Sequence, residues 1–249
     1  MTDVATPLTA TASPDIPASK SLGARTLGVI FSPRETYEDV AARPRVLGMM
    51  ALVLFISVAA SVAFLMTEVG KDALFDSQIQ TAESWGFNIT DQMYERMESQ
   101  LQYAPYTTAA FMLIVFPIVW AAIAGIIMGV FTLAMGGTAT YKQVYAVVAH
   151  SAVLLALQQI FINPLNYERQ LMSSPTTLAV FFPFLDEMTF VARLLGGIDL
   201  FFIWLIINQA IGVGVLYKRK TAPIAIGMLA LYVSIVFIVA AVRTAWSGA

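Results

Sequence analysis

Apolar residues along this chain fall in long blocks rather than in strict alternation. Five stretches, 46–66, 106–135, 144–162, 194–216 and 223–242, read as membrane spans. At about 1.5 Å per residue, some twenty residues cover a hydrocarbon core of roughly 30 Å. Lipid offers backbone N–H and C=O groups no partners, so isolated apolar blocks of this length cross as helices. The pattern predicts an all-α fold: a polytopic integral membrane bundle of five transmembrane helices with a short interfacial N-terminal helix.

The segments between the blocks carry their own signals. Residues 1–20 are rich in Thr, Ala, Ser and Pro without an apolar period, and read as a disordered tail. Residues 21–45 read as a cytoplasmic interfacial helix region. Ser32, Pro33 and Glu35 supply a cap, a first-turn proline and the closing acid of a capping box, predicting a short helix to about Arg43. Tyr37, Val40 and Ala41 share one face of it, flanked by Arg34, Glu38 and Arg45, a pattern that also suits a solvated helix. Met93, Met97 and Leu101 recur at four and predict an amphipathic helix in the polar stretch 71–103. The block 106–135 is longer than a crossing needs, so it tilts, kinks near Pro117 or projects. Its Gly125 and Gly129 permit close helix packing. Thr176–Leu185 is too short to cross and reads as interfacial or re-entrant.

Composition agrees with the blocks: 58% hydrophobic and 12% charged, where soluble domains average about a quarter charged. A net charge of −2 leaves no basic footprint for nucleic acid. With no cysteine, disulfides, thiolate zinc sites and cysteine nucleophiles are excluded. There is no Gly-x-Ser-x-Gly elbow, His-Glu-x-x-His pair or P-loop, and a lone histidine cannot build a multi-His metal site. The expectation is a non-enzymatic protein with no cofactor.

The third block is marked by His150, Gln158 and Gln159, and the fourth by Asp199, Asn208 and Gln209. Polar groups in lipid cost several kcal/mol unless met, so these face other helices. Counting residues from the block ends puts His150 and Asn208 about 9–12 Å from one membrane surface. The same count puts Asp199, Gln158 and Gln159 about 5–8 Å from the other. His150 and Asp199 are therefore too far apart to act as a direct acid/base pair. Two readings stay open: hydrogen bonds between helices, or stations on a proton or ion path.

Cations set the orientation, because short basic loops stay cytoplasmic. With the N-terminus inside, the inner segments carry nine Lys and Arg and the outer ones five, placing the N-terminus in the cytoplasm and the C-terminus outside, in a bacterial inner membrane. Lys218, Arg219 and Lys220 then join Arg34, Glu38 and Arg45 as a cytoplasmic partner surface. The partners expected are membrane lipids and an unidentified membrane or peripheral protein; a homo-oligomer is compatible with the same surfaces.

Three motifs, in this order and spacing, resemble the Yip family of Ypt/Rab-interacting five-span membrane proteins, in its bacterial branch. They are Phe31, Ser32 and Pro33 with the following helix and Pro44; the Gly136, Gly137, Thr138 turn into Tyr141, Lys142 and Gln143; and Gly197, Ile198, Asp199 and Leu200 through Asn208 to Leu216, Tyr217 and Lys218. The resemblance implies a five-helix membrane domain with a cytosolic N-terminus. Eukaryotic relatives bind Rab-type GTPases, but their acidic Asp-Leu-x-Gly-Pro element is absent before the first span here, so that partner is not carried over. The function expected is a scaffold or regulator acting through partner contacts, accessory to membrane transport or trafficking. The alternative is a small permease or proton-coupled carrier using Asp199 and His150.

Overall fold

A computed structural model describes residues 19–246, so nearly all of the tail expected over 1–20 lies outside the described residues. The described residues are mostly helical, with no strand among them. Their order is α1 (Leu22–Phe31), α2 (Pro33–Ala42), α3 (Leu47–Leu65), α4 (Glu68–Ser84), α5 (Asp91–Gln100), α6 (Ala104–Met128), α7 (Tyr141–Ser151), α8 (Val153–Arg169), α9 (Phe190–Gly197), α10 (Leu200–Leu216) and α11 (Thr221–Trp246).

Among the described residues, four helical stretches are long and apolar enough to cross a membrane: Leu47–Leu65, Asp91–Leu133, Tyr141–Arg169 and Thr221–Trp246. The chain is thus a multi-pass integral membrane protein. The stretch 194–216, expected as one span, is broken. The chain leaves α9 at Gly197, runs extended through Ile198 and Asp199, and re-enters helix at Leu200. What remains as α10 is 17 residues, about 25 Å.

Two further boundaries move for identifiable reasons. The block 144–162 extends to Tyr141–Arg169 and bends at Ala152. There the His150 ring and the Ser151 hydroxyl donate back to the carbonyls of Ala146 and Val147, at 2.7 and 2.9 Å, and side-chain donors on i−4 carbonyls loosen the helical ladder at that turn. The block 106–135 starts earlier, at Ala104, and ends in one wide π-helical stretch, Gly129–Ala134. The methionine repeat does form a helix, α5, with no buried residue; Tyr94 meets α4 edge-on at Phe75, 4.8 Å between ring centroids.

The N-terminal region is two helices, not one. Ser21 caps α1, and Ser32 is the turn into α2 rather than a side-chain cap. The capping box fails because Ser32 spends its backbone N–H on Gly28 while its φ and ψ, −142° and 59°, fall outside capping geometry; Glu35 pairs instead with Lys20 at 2.9 Å. The two helices pack as a hairpin at Gly28, where a Cβ would fall 2.1 Å from Thr36 Oγ1, so any side chain there would push them apart.

Helix α7 is the centre of the molecule. It packs against α6, α10, α2, α1 and α3, and Val144, Val147 and Ala149 are fully enclosed. The hairpin lies along it: Gln143 Nε2 donates to the Ala41 carbonyl at 2.9 Å near the start of α7, and Tyr37 reaches Ser151 at its end. Gly212 of α10 is the matching notch, because a Cβ there would sit 2.5 Å from Val147 and 3.0 Å from the Tyr37 ring.

Candidate functional site

Two polar clusters lie inside the bundle, each generated by a local backbone problem. The first begins at Pro33. A helix carbonyl normally accepts from the N–H four residues on, but Pro33 has none, so the Val29 carbonyl is orphaned inside the core. Asn208 of α10 supplies the missing donor, Nδ2 to Val29 O at 2.7 Å. Its Oδ1 accepts from the Tyr37 hydroxyl, which also meets Ser151 Oγ at 2.7 Å. Asn208, Tyr37 and Ser151 are all essentially inaccessible to solvent. Burial pushes the Tyr37 phenol well above its ordinary range, which keeps it a neutral donor.

Beside this cluster His150 is buried, its Nδ1 carrying the proton to Ala146 O, because a carbonyl can only accept. Its Nε2 has no hydrogen-bond partner among the described residues. Buried Arg25 and half-buried Asp39 form an ion pair between α1 and α2: Arg25 Nε and Nη2 reach Asp39 Oδ2 at 2.8 and 2.7 Å, and Nη2 also donates to the Arg43 carbonyl at 3.1 Å. Asp39 Oδ1 lies 3.5 Å from Arg43 Nη1.

The second cluster is the break before α10. Asp199 is its N-cap, with Oδ1 accepting from Phe201 N–H at 2.8 Å. Oδ2 accepts from the hydroxyls of Ser174 and Thr176 at 2.6 and 2.7 Å. Backbone pairing stitches the same strand-like residues together: Leu178 N–H to Ile198 O at 2.9 Å, and Leu200 N–H to Thr176 O at 3.0 Å. Tyr232 of α11 closes the ring, accepting from Asp199 N–H at 3.1 Å and donating to Gly197 O at 2.7 Å. The stretch Thr176–Leu185 is therefore the lid of this break; only Leu178–Phe181 in it is helical, as a 3-10 turn.

The polar residues singled out in the sequence divide accordingly. Asn208 sits near Ser151 and hence near His150, but the bridge runs through Tyr37, not directly between the helices. Asp199 stands nine residues before Asn208 on α10, about 13 Å along the axis, and its partners are hydroxyls rather than Gln158 or Gln159. Gln158 and Gln209 are buried and Gln159 half-buried; none of the three makes a side-chain hydrogen bond among the described residues. Arg34 and Glu38 pair at 3.7 Å on the exposed face of α2, and Arg45, Lys218, Arg219 and Lys220 are exposed. Lys218 has a positive φ of 52° and closes α10, with Arg219 N–H returning to Gly214 O at 2.8 Å.

Sequence reasoning read Tyr37 as an apolar-face position and gave no site role to Ser151, Arg25, Asp39, Ser174, Thr176 or Tyr232. Two signals point to the clusters at Asn208 and Asp199. A proline four residues after a buried carbonyl demands a foreign donor. A Gly-Gly pair followed by Asp and a run of apolar residues is a helix stop and restart.

A family model described as the Yip1 domain matches residues 27–243. No curated protein and no solved structure is similar enough to match the chain.

Proposed function

Because the chain belongs to the Yip1 domain family of membrane proteins, we propose that it is a non-enzymatic scaffold or regulator working through partner contacts at the end of the bundle that carries α2 and Lys218–Lys220. The observation that carries this is the locked hairpin. The Arg25–Asp39 pair ties α1 to α2, and Tyr37 and Asn208 tie that hairpin to α7 and α10, so Arg34 and Glu38 stand on a rigid face, not on a loose arm.

Helix lengths support the same placement. Tyr141–Arg169 has 29 residues and Thr221–Trp246 has 26, about 43 and 39 Å against a core of roughly 30 Å. That excess leaves helix length outside hydrocarbon, a layer in which the charges of α2 can stand. Nine cations against five argue that this end is cytoplasmic, in a bacterial inner membrane with α10 and its capped start as the fifth crossing. A photo-crosslinker at Arg34 or Glu38, activated in native membranes, is expected to trap a discrete protein partner that one at Phe237 does not trap. Recovery of uncrosslinked monomer alone from every position would count against the reading.

The broken helix at Asp199 favours a second reading, a proton-coupled carrier, since many transporters place a discontinuous helix at the substrate site. Capping supports the scaffold reading instead, because all the bonds found at Asp199 hold the break together. Asp199→Ala is expected to lower stability by about 1–2 kcal/mol, and Asp199→Asn, itself a good cap, by less, read as thermal unfolding in detergent. Loss of proton flux from vesicles in Asp199→Asn with unfolding unchanged would favour the carrier.

A further inference from the structure

A cleft of about 940 Å³ opens where α8, α9, α11 and the lid of the α10 break meet. It lies at the far end of the bundle from Lys218–Lys220: Arg243, on its wall, is 22 residues along α11 from Thr221, about 33 Å. Its lining is of two chemical kinds. Ile235, Val236 and Val239 of α11, with Leu165 and Phe182, form an apolar slot. Arg169, Arg193 and Arg243 bring three cations to the same cleft, against Glu187 as the one acidic lining residue among those described.

Asp186 is turned to the Met188 N–H at 2.9 Å, and Asp199 is engaged by Ser174, Thr176 and Phe201. Among the described residues neither Arg169 nor Arg243 has a carboxylate partner. Arg243 itself donates from Nη2 to Ser84 Oγ and stacks over Trp85 at 5.8 Å from the ring centroid, while its buried Nε meets no acceptor. Trp85 in turn packs on Trp246 at 5.7 Å, and paired tryptophans beside an arginine at a helix end mark the headgroup level of a bilayer.

From Val236 to Arg243 is about 10 Å along the helix. An apolar slot therefore runs up to clustered guanidinium groups at headgroup height, the shape and polarity of an anionic amphiphile. Arginine is the side chain suited to a phosphate, through paired N–H donors. We propose that this cleft binds an anionic phospholipid, its phosphate held by Arg169 and Arg243 and an acyl chain laid along Ile235, Val236 and Val239.

Native mass spectrometry of the full chain in mild detergent, titrated with phosphatidylglycerol or phosphatidylcholine, tests this. Phosphatidylglycerol is expected to bind at least about tenfold more tightly. Arg169→Gln should weaken it about five-fold, the loss expected of one cation at a membrane surface, and Arg169→Gln with Arg243→Gln about 25-fold. Glu187→Gln should tighten it. Equal binding of the two lipids, or an unchanged phosphatidylglycerol affinity in Arg169→Gln, would overturn the proposal, as would soluble glycerol phosphate binding as tightly as the lipid. Should the double variant not fold, the exposed Arg169 decides the matter alone.

Discussion

Replacing Tyr37 with alanine is expected to destabilise the protein by about 3–5 kcal/mol, the range for emptying a buried aromatic site. The ring is fully enclosed and fills the notch between Gly212 and Val147, so its removal leaves a void that two packed helices cannot close. The hydroxyl contributes separately. Tyr37→Phe keeps the volume but leaves the Asn208 carbonyl oxygen without its donor, a loss of about 1–3 kcal/mol. Unfolding of both variants in detergent, followed by heat or denaturant, gives the order wild type, Tyr37→Phe, Tyr37→Ala. If Tyr37→Ala behaved like a surface change, within about 0.5 kcal/mol, the hairpin would not be docked on α7 and the rigid face argued for Arg34 and Glu38 would be lost with it.

That residue also shows where sequence reasoning stops. Long apolar blocks announce themselves, because a crossing segment must be apolar at nearly every position; four of the expected stretches map onto helices that can span. A tyrosine on the apolar face of a short helix looks like packing, and nothing local says that its hydroxyl will meet residues 114 and 171 positions away. Asp199 fails differently. Within 194–216 the hydropathy is high on both sides of it, and window averaging joins two helices across a break that Gly196 and Gly197 permit. The cap signature was present but outvoted by the surrounding leucines and isoleucines. Arg25 and Asp39 could not be paired from sequence, because their contact depends on a hairpin turn at Ser32 that a single helix over this region does not contain.

That ion pair gives the other large effect. Arg25 has a side chain only 2% exposed and Asp39 one 13% exposed, so neither charge is solvated well enough to stand alone. Asp39→Asn removes the neutralising charge and leaves the guanidinium buried, a situation that costs about 3–5 kcal/mol. The pair as a whole is worth far less, since separating two charges from water offsets most of their attraction. Arg25→Met combined with Asp39→Leu is therefore expected to be markedly more stable than Asp39→Asn alone, and close to the parent protein. Unfolding measurements on the three proteins test this order, and an Asp39→Asn cost below about 1 kcal/mol would show the charge to be hydrated after all. The consequence reaches function. The pair holds α1 against α2, so in Asp39→Asn the hairpin should open and lose the shape that docks on α7. Crosslinks from Arg34 should then fall even in protein that remains folded and inserted, separating the docked hairpin from the membrane bundle as the proposed partner face.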